Sequence, residues 1–212
     1  AISGFAGWLC TGLRFDSSIE VWFLDGDPDL KIYNDFLDRF EADEVLVVGI
    51  FADDVFAPEV LGSIKRISKA SRDAPFAHRV RSLTTVQLFE AKDDWVELGK
   101  LVKRVPKTVE EGRALRKKAL GHPLLDGLVV SEDGKATAVL IEMDPKGNDA
   151  EGKTALVNAV RAIVEREKVA GMEVRLSGTP VFDAAFFEYT ERDFGVLFPA
   201  AVLLILLAMF VV

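Results

Sequence analysis

Residues 147–154 read GNDAEGKT and satisfy the pattern G-x-x-x-x-G-K-[ST]. In that pattern the loop's backbone N–H groups and the N-terminus of the next helix cradle phosphates. The lysine reaches the terminal phosphates and the hydroxyl holds a magnesium ion. The residues for such chemistry would be Gly147, Gly152, Lys153 and Thr154, with a predicted strand before them and a predicted helix after. Asp149 and Glu151 oppose it, because they place carboxylates where phosphate oxygens would sit. Only one further strand follows, and no apolar run ends in an aspartate that could take the metal. A nucleotide-binding fold of this kind also needs a larger, mainly parallel sheet. The loop therefore reads as a strand-to-helix connection whose acidic residues favour the helix start.

Other groups with chemistry in them are scattered. Asp25, Asp27 and Asp29 alternate like the opening of a calcium loop, but Pro28 interrupts them, Leu30 stands where glycine is required and Phe36 where glutamate is required. Helix capping and turn formation explain these aspartates. His78 and His122 have no ligand spacing around them, and the single cysteine, Cys10, excludes an internal disulfide framework and a thiolate metal cage. No G-x-S-x-G nucleophile motif occurs. No enzyme, cofactor or metal site is expected. A net charge of -8 and a pI near 4.9 argue against nucleic acid as a partner, which calls for a basic face.

The elements that would position these residues follow from periodicity. DPDLKIYNDFLDRF opens with Asp27 as N-cap and Pro28 at the first helical position, then repeats Leu30, Tyr33, Leu37 and Phe40 on one face. A continuous apolar run predicts a buried strand over Val45–Phe51, and Val60, Leu61, Ile64 and Ile67 predict a helix from Pro58 to about Ala70. HRVRSL alternates like an edge strand. The stretch from Thr84 to Asp126 is irregular, with one helix opened by the capping box Thr108–Glu111 and turning Leu115 and Leu120 inward. GLVVSEDGKATAVLIEM reads as a hairpin turning at Glu132–Lys135. A second long helix over Ala150–Lys168 and a strand in MEVRLSG complete the order. Strand, helix, strand, strand, helix, strand is an α+β, ferredoxin-like (split βαβ) plan, with a core of about 45–83 and 127–178 and a partly helical insertion at 84–126.

Both ends of the chain are apolar. Phe194–Val212 carries no charge over about 19 residues, close to a bilayer core at helical rise, and Glu191-Arg192-Asp193 stand just before it. Ala1–Leu13 is uncharged up to Arg14 and reads as the end of another transmembrane helix. Residues 14–193 then form one domain hung between two spans on the same face of the membrane, and the chain is expected to stop within or at the end of the second.

LRFDSSIEVWFLDGDPDLKIYNDFLDRFEADEVLVVGI resembles the start of the first extracytoplasmic loop in resistance-nodulation-division (RND) exporters, especially the branch of mycobacterial large membrane proteins and Patched-like proteins. The residues that carry the likeness are Asp16, Glu20, Trp22 and Phe23, then Asp27-Pro28, then Asp43-Glu44 before the strand. RVRSLTTV, LVVSEDGKATAVLIEMD and LSGTPVFDAAF follow in the order that family shows. The resemblance implies a porter loop in a multi-pass protein of the cell (inner) membrane, with about twelve spans in two similar halves. It implies proton-driven export of a hydrophobic or lipid-like substrate, with the remaining spans and a second porter loop of the full-length protein as partners. The proton relay would lie on other spans, since neither apolar end contains an ionisable residue. The alternative from another class is a Patched-like receptor, or a membrane-anchored extracytoplasmic ligand-binding adaptor that does not pump.

In GTPVFDAAFFEYTERDF, Gly178 and Pro180 end the last strand and begin a helix that should run unbroken into the membrane. Phe182, Ala185, Phe186 and Tyr189 share a face. Phe182, Phe186 and Tyr189 either pack under the domain or line a substrate path from the outer leaflet, and Arg192 and Asp193 form the coupling helix between domain and span. Lys153→Ala, in a loop read as structural, is expected to leave transport nearly unchanged. A chain shortened to residues 14–193 should be soluble while the full chain needs detergent, and recovery of the full chain as a soluble monomer would sink the span assignment.

Overall fold

The computed structural model describes residues 23–24, 26–40, 44–92, 95–122 and 129–211. The expected first span, Ala1–Leu13, lies outside them, as do Cys10, Asp16, Glu20, Trp22, Asp25 and Asp43. Helix α1 (Pro28–Phe40) starts where the aspartate and proline predict: the Asp29 N–H donates to Asp27 Oδ1 at 2.8 Å.

Strand β1 (Val45–Phe51) is the centre of a four-stranded antiparallel sheet. It pairs on one side with β5 (Ala136–Met143) and on the other with β6 (Glu173–Ser177), while β2 (Ala77–Arg81) closes the far edge of β5. The spatial order is β2-β5-β1-β6. Alternation puts Leu46, Val48 and Ile50 on the inner face, directly opposite Ile141, Val139 and Thr137. Helix α2 (Pro58–Ala70) adds Leu61, Ile64 and Ile67 to that core, and α4 (Ala150–Glu167) adds Leu156, Val157, Val160 and Val164. Each such side chain contributes about 1.5–3 kcal/mol on burial. The two helices are tied where α4 ends: Ser63 Oγ donates to the Glu167 carbonyl at 2.5 Å and Arg66 Nε meets Glu167 Oε2 at 2.7 Å. The opposite sheet face, with Val47, Gly49, Ala138 and Leu140, is only half-buried.

The segment between β2 and β5 is more regular than its sequence suggests. β3 (Gln87–Lys92) and β4 (Trp95–Lys100) form an antiparallel pair in a sheet of their own, anchored by buried Leu88, Leu101 and Val102. Helix α3 (Val109–Leu120) begins at Thr108, whose Oγ1 accepts from the Glu111 N–H at 3.2 Å. The box is shifted by one residue, because the Glu111 carboxylate accepts from Lys107 N–H and not from Thr108. Nor are Leu115 and Leu120 the innermost residues. Gly112 and Ala119 are buried and the two leucines are half-buried. A Cβ at Gly112 would come within 2.6 Å of the Phe56 carbonyl oxygen, so the helix lies too close for a larger side chain there. In the expected hairpin Val130 bridges to Thr137, and the rest of its first arm, Gly127 and Leu128, falls among residues 123–128, outside the described residues.

After β6 the chain turns through Gly178 into α5 (Thr179–Val211), a single helix of 33 residues. Gly178 sits at φ +107°, and a Cβ there would overlap the Val45 carbonyl oxygen. Both facts demand glycine. Gly178→Ala should destabilise the domain by about 2–3 kcal/mol, lowering the thermal midpoint by roughly 5–10 °C. Thermal unfolding of the detergent-solubilised chain, followed by circular dichroism, measures it.

Candidate functional site

Three elements meet at the root of α5. Glu44 is the residue before β1, Lys153 lies in the first turn of α4, and Asp183 lies in the first turns of α5. Helix α4 is set by Asp149, whose Oδ1 accepts from the Gly152 N–H at 2.6 Å. Helix α5 turns Pro180 and Ala184 toward the domain, with Val181 and Asp183 half-buried beside them. Lys153 Nζ reaches Asp183 Oδ2 at 2.5 Å and Glu44 Oε1 at 3.0 Å, with its side chain 3% exposed. Glu44 Oε2 is buried and has no hydrogen-bond partner among the described residues.

Opposing effects act on the Lys153 ammonium. Burial disfavours its charge, but hydrogen bonds and attraction to Asp183 and Glu44 outweigh that and raise its pKa above the usual 10.5. The group pins the start of the central strand, the N-terminus of α4 and the base of α5 in one relative arrangement.

The same geometry decides how GNDAEGKT is used. Asp144 accepts from the Lys146 N–H at 2.9 Å and starts a short 3-10 turn, Pro145–Gly147. The Phe76 ring presses on Gly147, and Gly152 backs onto the Gly147 carbonyl so closely that neither glycine has room for a Cβ. The lysine head is withdrawn into the ion triad, and Thr154 Oγ1 donates to the Ala150 carbonyl at 2.7 Å. The parts of a phosphate cradle are therefore engaged in packing and capping. Lys153→Ala would strand two carboxylates around a cavity, so a loss of stability is expected from this change whatever its effect on transport.

Phe182, Phe186 and Tyr189 lie on the outward side of α5, opposite Pro180 and Ala184, with exposures of 69%, 52% and 66%. The Phe182 and Phe186 rings stack with centroids 6.4 Å apart. Arg192 and Asp193 follow, exposed, on the same uninterrupted helix. His78 is on β2 and His122 lies past α3. Sequence reasoning missed the triad, although α4 carried a signal. Lys153 stands three, four and seven residues before Leu156, Val157 and Val160, on the helix's apolar stripe, where a lysine needs a buried partner.

From Glu191 to Phe210 every residue of α5 is exposed, and the stretch is long and apolar enough to cross a membrane. An α+β domain pinned by buried charge to such a helix fits a protein of the membrane class. The chain belongs to the MMPL family, whose model matches residues 59–212. Membership makes it part of an RND-type membrane transporter. A search of curated proteins finds no significant match.

Lys153→Met should lower stability by about 3–5 kcal/mol, since the two carboxylates stay behind without their cation. The raised lysine pKa also sets a pH window. Its contribution is complete below about pH 10.5 and disappears as pH rises through the higher folded-state value. Thermal midpoints between pH 8 and 12 should therefore fall more steeply for the parent chain than for Lys153→Met. Parallel curves would contradict a structural role for this charge.

Proposed function

We propose that the chain is the extracytoplasmic porter loop, ferredoxin-like in plan, of a multi-pass inner-membrane exporter that moves hydrophobic or lipid-like cargo at the expense of a proton gradient. The strand order β2-β5-β1-β6, with α2 and α4 in one core, supports the plan. The observation that carries the mechanism is the direct tie between domain and span: one helix, with no break from Thr179 to Val211, anchored by Asp183 to Lys153. Movement of the span by protonation elsewhere in the transporter is delivered to β1 and α4 through that ion pair, rocking the domain between inward and outward access. Phe182, Phe186 and Tyr189, exposed just above the apolar stretch, are placed to guide an apolar molecule from the outer leaflet toward the domain.

Replacing Arg192-Asp193 by Gly-Gly in the full-length transporter weakens the helix just before its apolar stretch by roughly 2 kcal/mol and should impair export sharply while the domain stays folded in the membrane. Export assays in membrane vesicles, with protease protection as the folding control, measure both. Phe186→Ala should change cargo preference and lower the thermal midpoint little, because the side chain is half exposed and its ring meets Phe182 and not the domain core. Undiminished export by the Gly-Gly variant would exclude rigid coupling, whereas a parent protein that binds cargo without exporting it would favour a receptor or adaptor role.

A further inference from the structure

The half-buried face of the main sheet carries a groove of about 640 Å³ at its β2 edge, a volume within the range of small-ligand sites. Its floor is aliphatic: Ala138 and Leu140 from β5, with Val86 and Val129 beside them. Its rim is cationic, formed by Arg72, Arg79 and Arg81. The register explains the juxtaposition, since Arg81 stands directly opposite Leu140 and Arg79 opposite Glu142. No acidic residue lines the groove among the described residues. Glu142 sits at the rim, 2.9 Å from Arg81 Nε and 3.3 Å from Arg79 Nη1. A guanidinium has five N–H donors, so pairing with one carboxylate oxygen does not exhaust Arg81. In a chain of net charge -8, arginines gathered round an apolar hollow form a local reversal of sign.

We propose that this groove binds a single-chain anionic amphiphile, with its phosphate or carboxylate head on Arg79 and Arg81 and its hydrocarbon chain along Leu140, Ala138, Val86 and Val129. Among the described residues the floor has no aromatic ring on which a base could stack, which argues against a nucleotide. A guanidinium fork matches the oxygens of such a head group, and the aliphatic floor removes the chain from water. The site stands apart from proton-driven export, because its test reads binding alone.

The test uses the whole chain in phosphatidylcholine nanodiscs, with methyl NMR signals of Ala138 and Leu140 read during titration with n-octyl phosphate. Saturable shifts at these methyls are expected. Inorganic phosphate and n-octanol, each lacking half of the ligand, should bind about tenfold more weakly or worse. Arg79→Gln combined with Arg81→Gln should weaken octyl phosphate binding by a similar factor. Should that pair fail to fold, Leu140→Glu decides alone, since it can pair across the strands with Arg81, keeping the sheet while putting a carboxylate that repels the anionic head in place of the apolar floor. Shifts that do not saturate, equal affinity for octanol or for inorganic phosphate, or affinity unchanged in a folded variant would overturn the proposal.

Discussion

A buried ammonium tolerates very few arrangements of its surroundings, and Lys153 imposes that restriction on the whole junction between domain and apolar helix. In water its charge would be solvated from every side. At 3% exposure it depends on Glu44 and Asp183, which arrive from two other elements. An apolar core holds elements together without fixing register sharply, because sliding one methyl past another changes little. An ion pair at 2.5–3.0 Å tolerates no such slide. The details nearby serve this contact. Gly178 lets β6 turn against Val45 beside Glu44, Asp149 fixes where α4 begins, and Gly147 and Gly152 let the connecting loop close underneath.

Long periodic elements were legible in the sequence. The helices over 28–40, 58–70 and 150–167 and the strands over 45–51 and 173–177 fall where apolar spacing puts them. The β3–β4 pair was not, because QLFEAK and WVELGK are short and interrupted by charge, and a two-stranded ribbon buries too little to demand clean alternation. Leu115 and Leu120 looked like the inner face of α3 because size suggests burial. Closeness of backbones favoured Gly112 and Ala119 instead. Lys153 was visible as half of a phosphate-loop pattern, but a one-dimensional pattern cannot show that Glu44 and Asp183, 109 and 30 residues away in the chain, reach the same point.

The two sides of α5 divide its duties. Pro180 and Ala184 are spent on the domain, with Asp183 between them, while Phe182, Phe186 and Tyr189 are left outward in the stretch before the wholly exposed run. The packed face determines where the helix is, and the aromatic face determines what it can meet. Farther along, Pro199 lacks the N–H that would bond the Gly195 carbonyl, so the helix has one weaker rung inside its apolar part.

A rod clamped near one end is a lever with unequal arms. From Asp183 to Phe210 the helix extends about 40 Å, whereas the clamp itself, Pro180 to Ala184, spans little more than one turn, about 6 Å. A swing of several ångströms at Phe210 would therefore become a displacement several times smaller at Glu44 and Lys153, delivered with correspondingly greater force. Such gearing trades amplitude for mechanical advantage. It suits a close-packed core, which yields to a small strong push and would be torn by a large one.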